Sequence, residues 1–316
     1  MQLLLTGSIA IDRIMVFPGK FSEVIQPDKL HVLSISVLVN ELKETRGGTS
    51  ANIAYTLALL GEKPILLGSV GESAKPYMDD LAKMGIDTQY VHYSKLPTAS
   101  FTVMTDIANC QVGGFYPGAM GDAASLKIAK FAKDDVFAVV SPHDPQQMAR
   151  QVAECSKLKK RLFYDVSQQI SNISAADLRA GVEATELLIV NDYEMGALVA
   201  KTGWSEAEIH LKVKVSVTTL GEKGCAVYQQ NMSEPLLVAA VPVTRVVDPT
   251  GAGDAFRAGF LFGYVRNWEL KTCAQLGATA AAYAIEKSGT QEHHFTKKDF
   301  VKRYERAYGT LLKKLV

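Results

Sequence analysis

Short, unbroken runs of Val, Ile and Leu, each followed by a stretch of helical period, recur through the first two thirds of this 316-residue chain. The clearest are Leu3 to Leu5, Ile65 to Val70, Val136 to Val140, Leu162 to Asp165, Leu187 to Asn191 and Val215 to Leu220. A strand with one wet face alternates apolar and polar residues, whereas a strand that is apolar throughout must be covered on both faces. Separated by helical stretches, such runs are the pattern of βαβ units. Helices are expected over Ser50 to Leu60, Tyr77 to Met84, Gln146 to Lys157 and Asp192 to Lys201, and Gly61, Gly85 and Gly203 are placed to end three of them. In the last third, Gly253 to Arg266, Leu270 to Lys287 and Thr296 to Leu312 also read as helices. The fold class is therefore α/β, a doubly wound, mostly parallel sheet flanked by helices.

Two segments break the rhythm. In His31 to Val39, Leu33, Ile35, Val37 and Val39 alternate with polar residues, which predicts a half-exposed strand. Phe101 to Tyr116 is also strand-like, punctuated by Asn109 and Gly113-Gly114. Two separated insertions of this kind, about 13–46 and 88–118, predict a small β-sheet lid on a single domain spanning 1–316.

Charge narrows the partners. With 34 Lys and Arg against 33 Asp and Glu the net charge is +1, giving no electrostatic reason to bind nucleic acid or an anionic membrane. Nowhere does an apolar run reach the roughly 18 residues of a membrane span. Met1 to Ala10 lacks a basic start and reads as a first strand, so a cytoplasmic location is expected. Cys110, Cys155, Cys225 and Cys273 lie far apart without a CxxC and read as buried thiols. The pair His293-His294 reads as a solvated turn, and Lys157 to Arg161 as a helix end with a solvated basic face.

The densest chemical signal is the stretch Asp248-Pro249-Thr250-Gly251-Ala252-Gly253-Asp254-Ala255-Phe256, immediately before an apolar helix. Small residues let the backbone approach a ligand closely, and the free N–H groups of a helix start attract phosphate. A carboxylate at the same helix end, Asp254, would face a hydroxyl standing before that phosphate, an arrangement suited to phosphoryl transfer. The alternative is a plain turn with Asp254 as a helix-start carboxylate. Neither a GxxxxGK[ST] loop nor a Rossmann fingerprint is present, so these motifs do not hold a nucleotide here.

The stretch Asp248 to Phe256 resembles the carboxy-terminal signature of the ribokinase (PfkB) family of sugar and nucleoside kinases. Further motifs occur in that family's order: Gly47-Gly48 with Asn52, the NxxE of Asn191 to Glu194, and Thr219-Leu220-Gly221-Glu222-Lys223-Gly224. Within the family, SFTVMTD, FYPGAM, DVSQQ, DAFRAGF and SGTQE are similar to segments of the bacterial adenosine kinases. The resemblance covers nearly the whole chain and implies a ribokinase-like fold and ATP-dependent phosphorylation of the 5′-hydroxyl of adenosine to AMP. Asp254 would be the base, with an anion hole at Gly251, Ala252 and Gly253. Asp12 matches the acid that accepts the ribose hydroxyls, and Ser8, Gly48 and Asn52 the rest of that clamp. Phe101, Phe115 and Met120 would sandwich the base or else form lid core, while Gln168 and Gln169 offer donor and acceptor to its edge. Asn191 and Glu194 match the pair that orders Mg²⁺ through water near ATP, and also suit a helix cap. Thr219, Gly221 and Gly224 match the loop along ATP; Asp248, Thr250 and Gly289 match a site for K⁺.

Lid strands of this kind expose an edge, which predicts pairing with a second subunit through the lid. Arg257, one turn past Asp254, is a further candidate for touching the transferred phosphate, or else a helix-surface arginine. Ile170-Ser171-Asn172 stands where the bacterial adenosine kinases carry a basic residue, which points to looser base preference. A broad nucleoside or sugar kinase of the same family, and a non-catalytic nucleoside-binding protein, are the alternatives.

Overall fold

The computed structural model describes residues 1–312 except 109, 123–125, 231 and 233. Fourteen strands and ten helices are formed by these residues. The strands are β1 Gln2–Thr6, β2 Ala10–Val16, β3 Glu41–Gly47, β4 Ile65–Leu67, β5 Ser69–Gly71, β6 His92–Ser94 and β7 Ala99–Thr105. They continue with β8 Gln111–Tyr116, β9 Val136–Val140, β10 Arg161–Tyr164, β11 Leu187–Asn191, β12 Val215–Thr219, β13 Cys225–Gln229 and β14 Leu236–Val238. The helices are α1 Phe21–Val24, α2 Thr49–Leu59, α3 Lys75–Lys83, α4 Pro145–Lys157 and α5 Ala175–Ala184. After them come α6 Asp192–Thr202, α7 Glu206–Lys212, α8 Ala252–Tyr264, α9 Leu270–Ile285 and α10 Lys297–Tyr308.

The main sheet has the order β4-β1-β9-β10-β11-β12-β13-β14, and its first six strands are parallel while β13 and β14 are antiparallel. The continuous apolar runs are accounted for by two cores. Leu3 and Leu5 of β1, Phe137 and Val139 of β9 and Ile189 of β11 pack with α2, α3, α8, α9 and α10. Leu4, Ala138, Val140, Leu188 and Val190 point to the other face and pack with α4, α5, α6 and α7. Strand residues alternate between faces, so an all-apolar strand serves both cores. Leu4 and Leu5 are fully buried, and each such side chain contributes roughly 2 kcal/mol. No helix among the described residues is long and apolar enough to cross a membrane.

A second sheet, β3-β2-β7-β8, draws its strands from two separated parts of the chain. Its register places Asp12 opposite Thr45 on one side and Phe101 on the other, with Phe115 opposite Phe101. Residues paired across strands share a face, so Asp12, Phe101 and Phe115 form one row.

Several expectations are corrected. His31 to Val39 is not a strand: Pro27–Val32 is a 3₁₀ turn, the following residues are irregular, and Leu33 and Ile35 are exposed. The strand that pairs with β2 is the more polar Glu41–Gly47, because a neighbour's free hydrogen-bonding edge, and not alternation alone, makes a strand. Ile65 to Val70 is two strands, with β5 leaving the main sheet to pair with β6. Asn109 lies outside the described residues. Cys110 is exposed, unlike the three other cysteines. His293 is buried, its Nε2 3.0 Å from the Thr56 hydroxyl, and it belongs to the core and not to a solvated turn. Helix α4 ends at Lys157, but Arg161 opens β10 and forms a two-point ion pair with Glu186.

Candidate functional site

The order of the main sheet reverses beside β1, whose neighbours β4 and β9 both come after it in the chain. At such a switch point the connections leave in opposite directions and open a crevice at the carboxyl ends of the strands. A cleft of about 640 Å³ lies there. Residues just past the strand ends build its wall: Ser8 after β1, Pro142 after β9, Ser167, Gln168 and Gln169 after β10, and Asn191 at the end of β11. A second cavity of about 500 Å³ opens near the starts of β10 and β12 and contains none of the expected site residues.

The second sheet supplies the opposite wall through Asp12, Phe101 and Phe115, and Met120, packed with Ala10 and Ala99, also lines the cleft. Phe101 is 38 % and Phe115 49 % exposed, leaving two ring surfaces open to the cleft. Two turns bring in Gly48 and Thr49 at the start of α2, and Thr250, Gly251, Gly253 and Asp254 at the start of α8. The first is tied to the main sheet by the Thr49 N–H, which donates to Ser8 Oγ at 3.0 Å, and by Ser50 Oγ, which donates to the Ser8 carbonyl at 2.8 Å. The second turns through Gly251 at φ 81°, a left-handed conformation that only glycine adopts without cost.

Asp254 sits at the centre of a fixed network. Asn52 Nδ2 donates to Asp254 Oδ2 at 2.8 Å. The Asn52 Oδ1 in turn accepts from Thr290 Oγ1 and Gln291 Nε2, each at 2.9 Å, so the amide has one orientation and its donor faces Asp254. Burial raises the Asp254 carboxyl above its ordinary value, against the opposing pull of Arg257 and Asn52. Asp12 is pushed up to about 6, first by burial and then by the negative charges of Asp254 and Asp248. A carboxylate raised in this way is more basic than a solvated one.

On the opposite side, Asn191 and Glu194 form a reciprocal cap on α6: the Glu194 N–H donates to Asn191 Oδ1 at 2.7 Å, and the Asn191 N–H to Glu194 Oε2 at 2.9 Å. Ser167 Oγ donates to Glu194 Oε1 at 3.2 Å, so both carboxylate oxygens already have protein partners. A carboxylate so engaged would meet a hydrated Mg²⁺ through water, the common mode for that ion. Asp248, Thr250 and Gly289 come together, with the Thr250 N–H 2.9 Å from Asp248 Oδ1 and the Gly289 N–H 3.0 Å from Oδ2. Of these three, Thr250 lines the cleft. Among the described residues no group of three or more His, Cys, Asp or Glu side chains is placed to hold a metal ion.

Besides Asp248 and Gly289, four expected residues stand apart from the cleft wall. Thr219 ends β12 and is brought beside Asn191 by strand register, while Gly221 and Gly224 lie in the turn that follows. Ala252 gives its N–H to the Pro249 carbonyl at 3.2 Å, unlike Gly251 and Gly253, which line the cleft. Arg257 is not a helix-surface residue: it is buried among Asp165, Glu194 and Asp254. Thr290, Gln291 and Asp165 were not singled out for any role by sequence, although SGTQE and DVSQQ contain them. Their partners are more than ninety positions away in the chain, so spacing carried no signal.

The model of the pfkB family of carbohydrate kinases matches residues 12–297. A nucleoside kinase of Methanothermobacter thermautotrophicus is 29 % identical over 94 % of this chain and 97 % of its own length. The structure of the Burkholderia thailandensis nucleoside kinase in complex with inosine has a TM-score of 0.88 at 33 % identity, covering 98 % of this chain and 99 % of that one. That of the Methanocaldococcus jannaschii nucleoside kinase, an archaeal member of the ribokinase family, has a TM-score of 0.85 at 26 % identity, covering 97 % and 99 %. The family match begins at Asp12 and runs past Thr290, taking in both turns and both walls of the cleft except Ser8 and Ala10, and the chain belongs to the pfkB family of carbohydrate kinases.

Proposed function

We propose that this chain is an ATP-dependent nucleoside kinase that phosphorylates the ribose 5′-hydroxyl and accepts more than one base, adenosine and inosine among them. The row Asp12, Phe101 and Phe115, facing Asp254 across one cleft, carries this reading. A nucleoside has two neighbouring hydroxyls for a carboxylate to accept and a flat base for rings to cover, in the same order. A free sugar would leave both rings uncovered.

A dedicated adenosine kinase has less behind it. The relatives at hand are named nucleoside kinases, and inosine is the nucleoside in the Burkholderia complex. The base end of the cleft is adaptable: Gln168 is exposed, and Gln169 Oε1 accepts from Asn172 Nδ2 at 2.9 Å. Amides present a donor or an acceptor as required, so they suit both the 6-amino group of adenine and the 6-oxo group of hypoxanthine.

In this account Asp12 binds the ribose hydroxyls and Asn52 holds Asp254 toward the 5′-oxygen. Asp254 takes that oxygen's proton as it attacks the γ-phosphoryl group. The N–H groups around Gly251 and Gly253, at the start of α8, stabilise the charge on the transferred phosphoryl group. Mg²⁺, when bound, neutralises phosphate charge; Asn191 and Glu194 would meet it through water, and Asp248, Thr250 and Gly289 are the residues for a K⁺ ion. The second sheet acts as a lid that excludes water as a competing acceptor. Its edge strands β3 and β8 expose Leu42 and Val112 and pair with a second copy of the chain.

Asp254→Asn is expected to lower kcat about a thousandfold while adenosine binding by calorimetry stays within a few-fold of the wild type. A variant that keeps most of its turnover would remove Asp254 as the base.

A further inference from the structure

Arg257 lies one turn into α8 and is 6 % exposed. Carboxylates from three separate elements surround its guanidinium. Nε stands 3.0 Å from Oδ1 of Asp165, the residue after β10. Nη2 stands 3.6 Å from Oε2 of Glu194 in the first turn of α6, and also 3.4 Å from the Ile189 carbonyl on β11. Nη1 stands 4.0 Å from Oδ1 of Asp254. Asp165 itself is completely buried, so the pair with Arg257 is held out of water from both sides. The guanidinium also packs against the anion-binding turn: a Cβ placed on Gly253 would fall 2.7 Å from Nη1.

A guanidinium has its donors in a fixed planar fork. Here Nε and Nη2 stand against Asp165, Glu194 and the Ile189 carbonyl, while Nη1 stays 4.0 Å from Asp254 on a residue that lines the cleft. Such a fork is suited to holding acids in place. Asp254 belongs to the acceptor side of the cleft and Glu194 to the donor side, and they arrive on helices α8 and α6, which are joined at this point through one rigid cation. Like charges so placed repel; Asn52 holds Asp254 and Asn191 with Ser167 holds Glu194, each from its own side, and Arg257 is the cation that stands between the two acids.

We propose that Arg257, anchored by the buried Asp165, is a positioning residue that fixes Asp254 and Glu194 relative to each other and so acts on the transfer step rather than on nucleoside binding. This rests on the kinase reading proposed for the cleft.

The test uses the full chain with the paired variant Arg257→Met/Asp165→Asn, which removes one charge of each sign, and the conservative Arg257→Lys. Melting temperature, adenosine affinity by calorimetry without ATP, and kcat are measured for each beside the wild type. Misplacing reacting groups by about 1 Å costs about 100-fold. The folded double variant is therefore expected to lose about 100-fold in kcat with adenosine Kd within about threefold of wild type, and Arg257→Lys to fall between the two. A folded double variant with wild-type kcat, or one whose adenosine affinity drops as far as its kcat, would overturn the proposal. Should the double variant not fold, Arg257→Lys decides: reduced kcat at unchanged adenosine Kd supports positioning, and wild-type kcat overturns it. A wild-type chain that neither binds nor phosphorylates nucleosides would overturn the kinase reading and this one together; wild-type turnover with unaffected variants overturns this one alone.

Discussion

In the role proposed for it, Asp12 meets two opposing demands. To accept two ribose hydroxyls it would have to be ionised, yet burial and the negative charges of Asp254 and Asp248 favour its protonated form and push its pKa up to about 6. An acid is protonated below its pKa, and one bearing a proton loses acceptor capacity. The KM for nucleoside should therefore be flat above about pH 7 and rise as pH falls through about 6. Steady-state kinetics from pH 5 to 8 check this, and Asp12→Asn should raise KM at every pH and flatten the profile. A wild-type KM that stays constant down to pH 5 would contradict the assignment. At this scale a local motif, Asp254 beside its glycines, makes a candidate legible from sequence. Sequence marked Arg257 as well but not its burial, because its surroundings come from Asp165 and Glu194, 92 and 63 positions away by number.

The second sheet shows what an element adds to its residues. Neither Asp12 nor Phe101 is notable singly, but the parallel pairing of β2 and β7 makes them neighbours although 89 positions separate them by number. Phe101 is more than a third exposed, so its truncation removes ligand contact without opening a core cavity. Phe101→Ala is expected to raise the KM for adenosine about tenfold, as loss of roughly 1.5 kcal/mol of ring contact, with melting temperature within a few degrees of wild type. A large drop in melting temperature at unchanged KM would place the ring in the sheet's own packing. The buried strands were legible because two covered faces leave a continuous apolar signature. Strand β3 was not, because Glu41–Gly47 is held by hydrogen bonds to β2 and has little apolar face. The alternating residues just before it, by contrast, pair with no strand among the described residues.

For the molecule as a whole, the parallel sheet and its two cores explain the position of the cleft, and the second sheet completes it. That sheet and the loops beside it also expose Leu38, Leu42, Ile107 and Val112, at 84 %, 66 %, 60 % and 59 % respectively, more apolar surface than a solitary lid needs. The chain is expected to sediment as a dimer at micromolar concentration, and Leu42→Glu/Val112→Glu to shift it toward monomer; a wild-type monomer would contradict pairing through this sheet. Near-neutral net charge accords with an uncharged nucleoside as acceptor, positive potential being needed locally at the start of α8. That the cleft is shaped for a base joined to a ribose is tested most directly by kcat/KM values for adenosine, inosine, cytidine, ribose and fructose 6-phosphate measured side by side. Adenosine and inosine are both predicted to exceed either sugar by about 100-fold or more, as expected if ring contacts and hydroxyl recognition act together. Ribose or fructose 6-phosphate turned over better than any nucleoside would contradict it.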